Sequence, residues 1–228
     1  MKWIKFDEIP STNDYVKSIR DGGEDVIVTA KRQTGGRGTK GRSFSSEEGG
    51  VYLSTLRFYK DFLAKDAFKI MSGAAVAVCE TLRFFGLTPV IKWSNDIYVN
   101  GKKICGILIE NTLSGKNISS SIVGVGLNVN TLFCGELSDI ATSMLLESGK
   151  SFSVEEVTKK LIEELFKERT MEEYRAYLGF MGERVTLISG DERVPATLLF
   201  VDDEGRLTAE INGERRVFSS AEVSVRIC

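Results

Sequence analysis

The 228-residue chain contains no histidine. That absence removes Ser–His and Cys–His nucleophile systems, histidine general bases and imidazole metal ligands together. Cysteine is sparse: Cys79, Cys105, Cys134 and Cys228 are the four present, and no two form a CxxC pair. A zinc site is therefore not expected. Cys79 and Cys105 fall in apolar runs and read as buried thiols, which suits a reducing cytoplasm. No apolar stretch approaches the roughly 20 residues of a membrane span, and the first residues do not resemble a signal peptide. Positive charge is not in excess either. The net charge is -2 and the isoelectric point about 5.5, without the clustered basic footprint that a duplex nucleic acid requires. What remains is an ordinary globular composition, 42% apolar and 27% charged, enough for one large or two small domains. Any chemistry must run on Lys, Arg, Asp, Glu, Asn and backbone amides.

Residues 3–6 read as a short strand, and Ser11, Thr12, Asn13 and Asp14 offer N-caps for a helix carrying Tyr15, Val16 and Ile19 at helical spacing. Residues 26–30 are a β-branched strand, 33–50 a long polar loop rich in Gly and Ser, and 51–58 a second strand. Residues 66–85 are apolar or small all round and predict a buried helix that stops at Gly86. Strands follow at 89–93 and 97–99. Asn100-Gly101 signals a tight hairpin, its return strand runs over 103–113, and a further strand occupies 120–130. Residues 137–146 and 154–177 are expected to be single helices. After Gly179 the pattern changes to five short alternating strands separated by turn residues, the signature of a small barrel, so a domain boundary is placed near Phe180.

Four clusters could carry chemistry. Residues 33–42, Gln-Thr-Gly-Gly-Arg-Gly-Thr-Lys-Gly-Arg, combine four glycines with three cations. Glycines let backbone N–H groups approach an anion, and arginine adds a bidentate fork. The spacing is neither a P-loop nor a Rossmann turn, and the bland alternative is a solvated loop. Lys92-Trp93-Ser94-Asn95-Asp96 places a cation and a carboxylate at a strand end, suited to a phosphate and its Mg²⁺, or else a surface ion pair beside a core tryptophan. Lys103 and Gly106 share one strand. The lysine is a rigidly mounted charge or an exposed edge residue, and the glycine marks a close approach. Strict alternation puts the two on opposite faces unless a bulge intervenes. Gly124-Val125-Gly126-Leu127-Asn128 leaves open space beside a polar Asn128, which needs partners from a ligand or from neighbouring backbone. Together these residues suit phosphoryl or adenylyl transfer, where positioning and charge stabilisation dominate.

In this order the motifs resemble the biotin protein ligase family. Ser11-Thr12-Asn13 is similar to its STN, residues 33–42 to QTxGRGRxGR, 92–96 to KWPND, 101–110 to GxKxxGILxE and 124–128 to GxGxN. The resemblance implies an α+β catalytic domain over 1–180, with a mixed sheet, packed helices and a class II synthetase-like fold, followed by an SH3-like β-barrel over 181–228. It implies adenylation of biotin by ATP and Mg²⁺ to biotinyl-5′-AMP. Transfer to a lysine of a biotin carboxyl carrier protein, as in acetyl-CoA carboxylase, would follow. Carried over by position, Ser11, Thr12, Asn13, Gln33, Gly36, Arg37, Phe44, Lys103 and Gly106 would contact biotin. Arg37, Gly38, Thr39, Lys40, Arg42, Lys92, Asn95 and Asn128 would serve ATP and the adenylate, and Asp96 the metal. Lys103, Arg37 and Arg42 would act in catalysis.

Departures from the pattern are Thr39 for the second loop arginine, Phe44 for tryptophan and Ser94 for proline. The family's second arginine helps retain the adenylate, so Thr39 implies weaker retention unless Lys40 substitutes. Because the STN motif begins at Ser11, an N-terminal winged-helix domain, and with it DNA binding, is not expected. A homodimer through a sheet edge is possible by family analogy. The competing readings are a lipoate or octanoate ligase of the same fold, which would want an apolar pocket for its acyl group, and a non-catalytic nucleotide- or peptide-binding module.

Overall fold

Two sheets organise the chain. The structure, a computed structural model, describes residues 1–227, the side chains of Asp21 and Lys40 excepted. The larger sheet contains β1 (Lys2–Ile9), β2 (Val26–Gln33), β3 (Gly50–Leu63), β4 (Val90–Lys92), β5 (Asp96–Val99), β6 (Lys102–Ser114) and β7 (Asn117–Asn128), in the order β1-β2-β3-β7-β6-β5-β4. β1 runs parallel to β2, and the other neighbours are antiparallel. The parallel pair needs a crossover, which α1 (Thr12–Ser18) supplies. Ser11 starts that helix, its hydroxyl oxygen accepting from the Asp14 N–H. The Asn100-Gly101 turn has positive φ at both residues, as the hairpin signal requires.

Alternation along the strands divides the apolar residues between two faces. On one, Val26, Val28, Leu56 and Ile122 pack against Val16 of α1. On the other, Val51, Leu53, Val123 and Val125 meet α2 (Phe68–Phe84), whose small and apolar residues allow burial all round. The stretch 137–146 divides into α3 (Leu137–Ile140) and α4 (Met144–Ser148). Between them Ala141 is extended and bridges to Lys103, and Ser143 caps the new helix. The stretch 154–177 likewise divides into α5 (Val154–Leu165) and α6 (Met171–Tyr177). Thr170 and Glu173 form a reciprocal capping box that restarts the chain as a helix. α2 packs on both α5 and α6.

The smaller sheet holds β8 (Arg184–Ser189), β9 (Glu192–Val201), β10 (Leu207–Ile211), β11 (Glu214–Phe218) and β12 (Ser224–Ile227). They are all antiparallel, in the order β11-β10-β9-β8-β12, which is the strand order of an SH3-like barrel. One hydrophobic cluster runs through both sheets, and the indole N–H of buried Trp93 donates to the Gly205 carbonyl at 3.0 Å. The Trp93–Ser94 peptide is cis. The α+β architecture expected from the sequence is present. Among the described residues no helix is long and apolar enough to cross a membrane.

Candidate active site

α1 covers only part of its face of the large sheet. The rest, where Gly106 and Leu108 of β6 lie beside Gly126 and Gly124 of β7, floors a cleft of about 510 Å³. The glycines are needed because side chains from elsewhere occupy the space above them. A Cβ on Gly126 would lie 2.6 Å from the Phe44 ring. One on Gly106 would lie 3.1 Å from the Lys103 ammonium, and one on Gly124 would collide with the Asn13 amide. Gly106 thus makes room first for Lys103 and Phe44.

Lys103 and Gly106 reach the same side through a bulge. Ile97 pairs with Cys105 but Tyr98 with Lys103, so Ile104 is the extra residue. The Lys103 ammonium sits 2.6 Å from Asp96 and 5.9 Å from the centre of the Phe44 ring. Lys92 approaches the other Asp96 oxygen at 3.3 Å and donates to the Tyr98 hydroxyl at 3.1 Å. Burial alone would raise the Asp96 carboxyl, but the charges and hydrogen bonds of Lys103 and Lys92 outweigh it and hold the group below its ordinary value. Asn95 donates to the Ile107 carbonyl at 2.8 Å and fixes the 93–96 turn to β6. Asn128, also buried, donates to the Thr142 carbonyl at 3.0 Å. Its partner is therefore backbone, the bland alternative in the sequence reading. Among the described residues no group of three or more Cys, Asp or Glu could hold a metal ion.

At the far end of the cleft lie Ser11, Thr12, Asn13 and Gln33. The Gln33 carbonyl oxygen accepts from the Thr12 N–H at 2.8 Å, and its amide donates to Ser46 at 2.9 Å. The 33–50 stretch, expected as a loop, contains an ordered hairpin. Arg37 bridges to Ser43, the Gly38 N–H donates to the Arg42 carbonyl at 2.6 Å, and the Phe44 N–H to the Gly36 carbonyl at 2.9 Å. Arg37 directs its guanidinium to Asp14 and Glu110, and Arg42 turns back on the Thr39 carbonyl and hydroxyl at 3.2 and 2.9 Å. Both loop arginines therefore hold the hairpin.

Gly38, Thr39, Arg42 and Phe44 line the cleft with Lys92, Asn95, Asp96, Lys103 and Asn128. Gly36 does not line it, and the Lys40 side chain lies outside the described residues. The sequence reading missed two contributors. β12 brings Arg226 to the cleft wall, and Phe133, Leu137 and Ile140 form an apolar side. The apolar side had no signal, because 137–146 reads as one helix and the exposure of Leu137 and Ile140 emerges only in the fold. Arg226 had none, since its strand belongs to the other sheet.

Residues 5–128 match the biotin/lipoate A/B protein ligase family. The chain belongs to that family. Residues 180–226 match the biotin protein ligase C terminal domain. The chain is 33% identical over 215 residues to the bifunctional ligase/repressor BirA of Bacillus subtilis (strain 168), covering 86% of this chain and 65% of that protein. It is 27% identical over 242 residues to the biotin–[acetyl-CoA-carboxylase] ligase of Mycobacterium tuberculosis (strain ATCC 25618 / H37Rv), covering 97% and 89%. The chain thus spans about 65% of the length of the Bacillus relatives it matches. Among solved structures, the biotin protein ligase from Aquifex aeolicus in complex with biotin and ATP superposes with a TM-score of 0.80 at 29% identity, covering 100% of this chain and 99% of that one.

Proposed function

We propose that this chain is a biotin–protein ligase. It joins the biotin carboxylate to the α-phosphate of ATP, releasing pyrophosphate, and a lysine of a biotin carboxyl carrier protein then attacks the mixed anhydride and displaces AMP. The observation that carries this reading is Lys103. It is a strand-mounted cation anchored on buried Asp96, between the polar pocket of Ser11, Thr12 and Gln33 and the Asn128 end of the cleft.

The polar pocket suits a cyclic urea, which has N–H groups and a carbonyl to satisfy, better than an acyl chain or a dithiolane. The Phe44 ring lies over the glycine floor, placed to pack on the apolar tail. The attacking carboxylate is ionised near pH 7 and needs no base. Lys103 and Lys92 neutralise charge gathering between carboxylate and phosphate, and Arg226 adds a third cation from β12. Phe133, Leu137 and Ile140 offer a flat base an apolar wall. Asn95 and Asn128 keep the backbone of this region in place. Arg37 and Arg42 act through the hairpin, whose closure shields the anhydride from water. Mg²⁺ would arrive on the ATP phosphates and spread their charge. Asp96, read from the sequence as its ligand, has a lysine at each oxygen and is instead the anchor of those two cations.

Two features support the remaining parts of the reading. Beyond Ile107, β6 has only β7 beside it among the described residues, an open edge on which a second copy could pair. Cys79 and Cys105 are free, buried thiols, in keeping with a reducing cytoplasm. The C-terminal sheet is read as a domain starting at 181, docked so that β12 walls the cleft. Biotin-dependent ATP–pyrophosphate exchange, followed by transfer to a carrier domain, tests the proposal. No exchange with biotin, or faster exchange with lipoate, would reject it.

A further inference from the structure

Glu110 sits on β6 beneath the polar pocket, outside the cleft lining. One carboxylate oxygen accepts from the Asn13 amide at 3.2 Å, and the other meets Lys17 at 3.2 Å and Arg37 at 3.4 Å. A single side chain thus joins the start of α1 to the glycine-rich hairpin. Burial alone would lift its carboxyl, but hydrogen bonds from Asn13 and Lys17 and the nearby charges of Lys17 and Arg37 reverse that, so it is ionised at neutral pH.

An ionised carboxylate only accepts hydrogen bonds. Asn13 must therefore offer it the NH₂ end, and this turns the Asn13 oxygen onto the Ser54 hydroxyl, 2.6 Å away. Ser54 is fully buried and has one proton, which Asn13 claims. The Ser54 oxygen also lies 2.7 Å from the Thr12 hydroxyl, so that contact must be bridged by the Thr12 proton. The competing acceptor for that proton, Gln33 at 3.0 Å, is likewise inside the protein and already takes the Thr12 N–H. Ser54 is the nearer of the two acceptors and holds the proton, so the Thr12 oxygen faces the cleft with lone pairs only.

We propose that Glu110 is a positioning residue that sets the pocket's polarity, so that Thr12 accepts a ligand N–H, and that the same carboxylate clamps the hairpin through Arg37. Specificity for a head group bearing N–H donors is on this account wired from below the pocket. The inference rests on the biotin reading above.

The test measures, by calorimetry on the full chain, the dissociation constants of ATP, of biotin and of a biotin analogue with ring oxygen in place of one ureido N–H. In Glu110→Gln the amide turns its oxygen to the cations and its NH₂ to Asn13, and the Thr12 proton is released. Discrimination for biotin over the analogue should fall about tenfold, the scale of one neutral hydrogen bond, with ATP affinity within about twofold. Ser54→Ala, nearly isosteric, should also lower discrimination and stands in if Glu110→Gln does not fold. Arg37→Gln frees the hairpin from both Glu110 and Asp14, leaves the Glu110–Asn13–Ser54 chain in place, and should weaken biotin binding without changing discrimination. Unchanged discrimination in Glu110→Gln and Ser54→Ala proteins that bind biotin overturns this proposal alone. A wild-type chain that does not bind biotin overturns the underlying reading as well.

Discussion

Four cations of the cleft, Arg226 apart, fall into two groups that differ in what holds them. Lys92 and Lys103 stand on strands and converge on Asp96, which is buried. Arg37 and Arg42 stand on the hairpin. Their partners are Asp14 and Glu110 for one and the hairpin's own Thr39 for the other. A charge mounted on the sheet is in place before any ligand arrives, which is what transition-state stabilisation requires. A charge spent on holding a hairpin governs access and retention instead. On the proposed function, the site separates chemistry from closure by secondary structure.

Removing a member of each group should expose that division. Lys103→Ala should lower single-turnover adenylation by about two to four orders of magnitude, the cost of losing a preorganised donor. Arg37→Ala should leave that rate closer to wild type and act mainly on biotin affinity. A rate for Arg37→Ala as low as that of Lys103→Ala would break the comparison. Asp96→Ala should be felt in stability, because it leaves two partly buried ammonium groups without their carboxylate. About 2–4 kcal/mol lost in urea unfolding at pH 7 is the expected range. The folded Asp96 carboxyl titrates below its ordinary value of 3.8, so its contribution is present above that pH and is lost as pH falls through the lower folded value. The gap between wild type and Asp96→Ala should therefore close on acidification below about pH 4. A gap independent of pH would mean that packing, not charge, explains the loss.

Gly126→Ala sharpens the account of the floor. Its Cβ would meet the Phe44 ring at 2.6 Å, and overpacking of this kind typically costs about 1–3 kcal/mol. Biotin affinity should fall by roughly tenfold with little change in ATP affinity. Unaltered biotin binding would show that Phe44 can move aside freely.

The sheet-borne half of the site was the more legible. Runs rich in β-branched and apolar residues located β3, β6 and β7, and Asn100-Gly101 fixed the hairpin that delivers Lys103. The bulge at Ile104 was identifiable only as a need, since nothing in Lys103-Ile104-Cys105-Gly106 says where an extra residue sits. The two long helices were misjudged because apolar spacing persists across 137–146 and 154–177. The breaks come from Ala141 pairing with Lys103 and from the Thr170 capping box, whose Thr-x-x-Glu pattern was there to be read. The wiring of Glu110, Asn13 and Ser54 depends on residues 41 to 97 apart in sequence meeting in space, and the arrival of Arg226 on a strand of the other sheet; one sequence has no signal for either.

The smallest expected effect concerns Thr39. The family resemblance places an arginine at this position, one that helps retain the adenylate. Here Thr39 lines the cleft and its hydroxyl and carbonyl hold Arg42. Thr39→Arg therefore changes two things at once: it adds a guanidinium at the cleft and withdraws one hydrogen bond from Arg42. A charge pair at a partly exposed site contributes at most about 1 kcal/mol, so escape of biotinyl-5′-AMP should slow only about fivefold. Because the new charge stands on the hairpin and not on the sheet, the adenylation rate should barely move. An off-rate unchanged by Thr39→Arg would mean that retention here is set elsewhere. An adenylation rate that rose with it would place a hairpin charge in the chemical step and undo the separation between the two groups.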